Sequence, residues 1–133
     1  MKLTQKIEEK LSEKITSSSS IGGGCIANSS SIKTESGNKY FVKSYGNKSN
    51  ILKNEANGLN ELAKSNTIRI PKVIVLDDEY LVLEYIEQGS RKNNFSSEFG
   101  RQYAQMHKYK GDIFGYLENN FIGSTPQINL PQS

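Results

Sequence analysis

Between Asn50 and Lys64, Leu52, Leu59 and Leu62 recur at helical spacing with Ala56 and Ala63 beside them, and Glu55 stands inside that apolar stripe. It lies three residues after Leu52, four before Leu59 and seven before Leu62. A carboxylate held against apolar surface costs on the order of several kcal/mol unless a cation meets it. Either the helix is rotated so that Glu55 reaches water at the rim, or a neighbouring element supplies the cation. The second arrangement dictates much of a fold, because it places a particular strand or helix against the second turn of this one.

Lys43 is the natural partner. It ends the strand-forming run Tyr40-Phe41-Val42, on the same face as Phe41 by the period of two. The separation of 55 − 43 = 12 residues is enough for the chain to turn from a strand into a helix packed on it. A strand-end lysine can equally point to water, so the pair carries more information than either residue alone.

The rest of the chain supplies the sheet. Leu3, Ile7, Leu11 and Ile15 recur every four residues, an apolar stripe on a helix of about three turns. Ser17 to Ser20 and Gly22 to Gly24 end it. By composition the serines read as a linker. By context they read as a strand, because Ile26 to Thr34 and Lys39 to Lys43, joined by the turn Ser36-Gly37-Asn38-Lys39, need a third strand for stability. Lys72 to Leu76 and Tyr80 to Ile86 flank Asp77-Asp78-Glu79 as a hairpin. After a polar stretch from Gly89 to Asn94, Phe95 to Lys110 is a helix with Phe99, Tyr103, Met106 and His107 on one side. Beyond Gly111 the periodicity is lost. The expected fold is α+β: a five-stranded antiparallel sheet with one helix inserted after the third strand.

Composition bounds the function. A chain of 133 residues is one small domain, and at 35% hydrophobic its core is thin, so part of that core is expected to lie outside the chain. The net charge of 17 − 14 = +3 is spread out and leaves no nucleic-acid footprint. The single cysteine, Cys25, excludes an internal disulfide, fits a reducing compartment or pairing between chains, and with one histidine makes a structural zinc site unexpected. Charged residues follow Met1 at once, and the apolar runs are too short to cross a bilayer. These features predict a soluble cytoplasmic chain with no membrane or nucleic-acid partner.

Gly22-Gly23-Gly24 precedes Lys43 between two candidate strands. Backbone without Cβ can approach phosphates closely; a plain hinge uses the same glycines. Glycine loop, strand lysine and helix glutamate, in that order, are the ATP-holding half of the protein-kinase scheme. In that scheme the strand ending Glu84-Tyr85-Ile86 is the hinge whose backbone bonds the adenine edge; an ordinary edge strand is the alternative.

The sequence resembles the fructosamine-3-kinase (ketosamine-3-kinase) family, whose fold is protein-kinase-like. The resemblance rests on Gly22-Gly23-Gly24-Cys25-Ile26, Tyr40-Phe41-Val42-Lys43, Glu55-Ala56-Asn57-Gly58-Leu59, Ile70-Pro71-Lys72-Val73, Leu81 to Ile86, Gly100 to His107, Phe114-Gly115 and Asn120 to Gln127. It implies ATP-dependent phosphorylation of the 3-hydroxyl of a ketosamine, on a small molecule or a glycated protein. The labile product then falls apart and frees the amine. By position, Gly22, Gly23 and Gly24 would cover the phosphates, Lys43 would bind them, Glu55 would orient Lys43, and Glu84, Tyr85 and Ile86 would form the hinge. Cys25 falls where relatives carry a cysteine tied to redox-dependent dimerisation, although a small residue packed beside a turn is an equal reading. Aminoglycoside and choline-type phosphotransferases are the neighbouring alternative, and the segment from Gly123 to Gln127 argues against them.

The resemblance also implies Mg²⁺, with ligands and a catalytic aspartate supplied by a His-Gly-Asp loop and a following Asp-Pro segment. Neither string occurs in these 133 residues. His107 is followed by Lys108-Tyr109, and Asp112-Ile113-Phe114-Gly115 only loosely matches Asp-Phe-Gly. His107 is expected to pack under its helix. The reading is therefore an N-lobe over residues 1–87, complete from Met1, followed by a linker, a helix and the start of an incomplete C-lobe over 88–133. Such a chain is expected to be inactive alone. Its last helix would expose Phe99, Tyr103 and Met106, giving a dimer or another partner contact through that face or through Cys25. A non-catalytic remnant acting by such contacts is the competing function.

Overall fold

The computed structural model describes residues 1–22, 27–46 and 50–131. Its elements run α1 (Leu3–Leu11), β1 (Ile15–Ile21), β2 (Asn28–Thr34), β3 (Lys39–Ser44), α2 (Ile51–Ala63), β4 (Val73–Leu76), β5 (Tyr80–Glu84), α3 (Phe95–His107), β6 (Asn120–Ile122) and β7 (Thr125–Gln127). The first five strands form one sheet in the order β1-β2-β3-β5-β4, antiparallel at every step. β5 lies between β3 and β4 because α2 carries the chain across the sheet before the β4–β5 hairpin turns back inward.

Alternation along the strands divides the core in two. On one face Ile32, Val42, Tyr80 and Val82 pack with Ile7 of α1. On the other Leu81 and Leu83 pack with Leu52 and Ala56 of α2, and Phe41 joins them. β5 is buried over four of its five residues because it is covered on both faces and paired on both edges.

The α1 stripe does not continue into Ile15, contrary to its period of four. Ser12 adopts a left-handed conformation (φ 56°), and Glu8 Oε1 accepts the Ile15 N–H at 2.8 Å, so the chain turns and Ile15 opens β1. The serine run is a strand, held at the sheet edge by pairing with β2. The β2–β3 turn has Gly37 at φ +86° and is tied to the α1–β1 corner, where the Glu13 carboxylate accepts from Ser36 Oγ at 2.7 Å and Asn38 Nδ2 at 3.2 Å.

The region after Gly111 is not irregular throughout. It holds the hairpin β6–β7, with Phe121 opposite Pro126. Three-residue strands are too short to show a period, and the proline removes a donor. α3 buries none of its side chains fully.

Candidate functional site

Lys43 projects from β3 on the face shared with Phe41, toward α2, and Glu55 meets it from the second turn of that helix. Lys43 Nζ donates to both carboxylate oxygens, at 2.8 and 2.9 Å, with 24% and 29% of the two side chains exposed. The carboxylate in the apolar stripe is therefore answered by the strand lysine rather than by water. Leu52 and Ala56 set the rotation of the helix by packing on Leu81 and Leu83.

The sheet register carries the glycine end of β1 toward this pair. Ile21 pairs with Ser29, Ser29 with Lys43, and Lys43 with Leu81, so all four lie on one rung. Two strand spacings, roughly 10 Å, separate the start of the glycine run from the lysine. Gly22 is exposed with open space where a Cβ would point. Gly23, Gly24 and Cys25 lie outside the described residues.

A cavity of about 500 Å³ opens beside the pair. Lys43 and Tyr45 line it from the sheet side, Glu55 and Leu59 from α2, and Asn120 and Phe121 from the β6–β7 hairpin. The hairpin's share in this wall was not visible in the sequence beyond the family resemblance of Asn120 to Gln127.

The segment expected to form the hinge lies at the other end of β5 and outside this cavity. Glu84 is already engaged. Its N–H donates to the Lys72 carbonyl at 2.9 Å, and its carboxylate accepts from Arg69 at 2.5 Å and from the Lys72 N–H at 3.2 Å. The Arg69 hydrogen bond, and then that of Lys72, hold the Glu84 carboxyl below the usual carboxylate range. Tyr85 and Ile86 lie beyond the strand end, four and five residues past the Leu81 rung, so Tyr85 stands roughly 14 Å along the strand from the Lys43 level.

His107 does not pack under α3. It is exposed, its Nδ1 lies 2.9 Å from the Tyr103 carbonyl, and its ring lies tilted against Tyr103 with centroids 4.3 Å apart. Asp112 is exposed in the loop after α3. Among the described residues no cluster of His, Cys, Asp or Glu could hold a metal ion, so Mg²⁺ finds no ligand set there. An anionic group fits better, because the Lys43 ammonium is partly exposed at the cavity wall and held in place by Glu55.

An antiparallel five-stranded sheet with one inserted helix, and a lysine–glutamate pair linking the two, defines a protein-kinase-like α+β fold. The fructosamine kinase family model matches residues 1–133, and the chain belongs to that family. It is 40% identical over 131 residues to the chloroplastic protein-ribulosamine 3-kinase of Oryza sativa subsp. indica, covering 92% of this chain and 38% of that protein. The Arabidopsis thaliana protein of the same name is 37% identical over 135 residues, covering 92% and 40%. A crystal structure of a Thermobifida fusca protein assigned to the fructosamine-3-kinases superposes with a TM-score of 0.84 at 24% identity, covering 98% of this chain and 47% of that one. The chain thus spans less than half the length of these relatives. No helix among the described residues is long and apolar enough to cross a membrane.

Proposed function

We propose that this chain is the nucleotide-binding portion of an ATP-dependent ketosamine 3-kinase. The observation that carries the reading is the Lys43–Glu55 pair, seated at a cavity wall on the rung where the glycine-ended strand arrives. A partly desolvated ammonium is suited to the α- and β-phosphates, and Glu55 keeps it aimed. Tyr85 and Ile86, past the pairing with Tyr40 and the bond to Lys72 that occupy Glu84, supply backbone toward the adenine edge. Gly22, with Gly23 and Gly24, covers the phosphates.

The chemistry of the whole enzyme is transfer of the γ-phosphoryl group from ATP to the 3-hydroxyl of a fructosamine or ribulosamine, whose 3-phosphate is labile and releases the amine. ATP supplies the phosphoryl group. This chain binds and orients it. The proton acceptor and the metal ligands belong to a catalytic loop whose strings are absent from these 133 residues. The chain alone is therefore expected to hold nucleotide without turning it over. A second reading, a non-catalytic module acting by self-association, is favoured by one observation, the exposed aromatic face of α3.

Titration of the chain with a fluorescent ATP analogue tests the first reading. Lys43→Met should weaken binding by about tenfold or more, since a charge-assisted contact is worth about 1.5–3 kcal/mol. Equal affinity in wild type and Lys43→Met, or no binding by either, counts against it. Mixing the chain with a separately supplied catalytic lobe of a relative should then yield ATP-dependent phosphorylation of a fructosyl- or ribulosyl-lysine, read by ³¹P NMR.

A further inference from the structure

We propose that the segment from Gly115 to Pro131 is a positioning element for the Lys43–Glu55 pair, acting through Asn54 and Asn57 of α2. The functional consequence rests on the nucleotide reading above; the structural coupling does not. The segment is closed on itself. Tyr116 N–H donates to the Asn129 carbonyl at 2.6 Å, Asn129 N–H to Asn119 Oδ1 at 2.9 Å, and Asn129 Nδ2 to Asn120 Oδ1 at 2.5 Å. Gly115 (φ +100°) permits the closure, since a Cβ there would lie 2.8 Å from the Asn129 carbonyl oxygen. This closed loop is pinned to α2 at two points. Asn57 Nδ2 lies 3.1 Å from each Glu118 carboxylate oxygen, and Asn54 Nδ2 donates to the Asn119 carbonyl at 3.2 Å.

Asn54 and Asn57 are three residues apart and share a face, while Glu55 stands one step, about 100°, around the helix. The helix is thus held from two directions, by the sheet through Leu52, Ala56 and Glu55 and by the closed loop through the two amides. A rotation of α2 by about 30° would carry a side-chain end by roughly 3 Å, as far as the length of the Lys43–Glu55 bonds. Apolar packing tolerates sliding better than a directional hydrogen bond does, so the two amides restrict that rotation.

Acylation of the chain by an amine-reactive ester, followed residue by residue with mass spectrometry, reads the coupling without nucleotide. Asn57→Asp places two carboxylates against each other at Glu118. Lys43 should then acylate about fivefold faster or more, with Lys6 and Lys39 (paired with Glu79 and Glu87) changed by less than about twofold. Asn57→Asp combined with Glu118→Lys should restore the slow rate. An unchanged Lys43, a uniform rise at all lysines, or failure of the charge-swapped chain to restore the rate would overturn the proposal. ATP-analogue affinity is measured on the same chains. If Lys43 protection follows the variants and affinity does not, the coupling stands and the nucleotide reading falls.

Discussion

Glu55 and Lys43 each keep less than a third of their side chains exposed, and each satisfies the other. Their meeting was legible because two short periods, two on the strand and about 3.6 on the helix, place one charge on each facing surface. The contacts of Asn54 and Asn57 were not legible, since they join residues 65 and 61 positions apart and no periodicity marks them. Other carboxylates set the pH response. Glu8 is held below its ordinary value of 4.5 by the Ile15 N–H first, Glu13 by hydrogen bonding to Thr34 and then Ser36, and Glu84 by Arg69. A depressed folded pKa contributes stability that is present above 4.5 and lost as pH falls through the lower folded value. On the alkaline side Lys6, raised by its hydrogen bond to Glu79, contributes fully below 10.5 and loses that contribution as pH rises through its higher folded value. Urea midpoints should therefore be flat near neutrality and fall as pH drops below 4.5, with Glu8→Gln and Glu13→Gln together shallowing that fall. An acid limb with the same slope in the double variant would show that these two groups do not set it.

At the scale of elements, strong periods and turn residues announced α2, α3, β3 and the β4–β5 hairpin. The serine run became β1 against its composition, because an edge strand of small polar residues needs only backbone pairing on one side. The β6–β7 hairpin escaped notice for the opposite reason: its order comes from asparagine amides and one glycine rather than from an apolar pattern. Gly115→Ala tests that account. The positive φ and the 2.8 Å approach to the Asn129 carbonyl should cost about 1–3 kcal/mol of local stability. Hydrogen exchange at the Tyr116 amide should accelerate while the Leu81 and Val82 amides stay protected. Gly89→Ala, with nothing within 4 Å of its Cβ, is the control and should change stability by less than about 0.5 kcal/mol. Equal exchange in the two variants would mean that the loop does not depend on its closure.

Across the whole molecule, burial is uneven. The sheet and its two helices hide their apolar residues well, whereas the large apolar side chains left exposed concentrate from Phe95 onward. Phe95, Phe99 and Tyr103 are each about half exposed and stack along α3 at 6.0 and 5.8 Å, a continuous aromatic ridge; Met106, expected beside them, is partly covered. Chains that fold alone seldom leave such a ridge to water. The relatives are more than twice as long, so the proposed whole enzyme has material to cover it. In the 133-residue chain by itself, a second copy is the available cover. Sedimentation velocity at micromolar concentrations should then show concentration-dependent association. Phe99→Ser with Tyr103→Ser should shift the chain to monomer and leave Lys43 acylation unchanged, since neither residue lines the cavity beside Lys43. The ridge is built from Phe95, Phe99 and Tyr103 and needs no thiol, so association through α3 should persist in full reducing agent and in Cys25→Ser. A chain that stays monomeric at high concentration, or one whose association disappears with the thiol alone, would remove α3 as the contact.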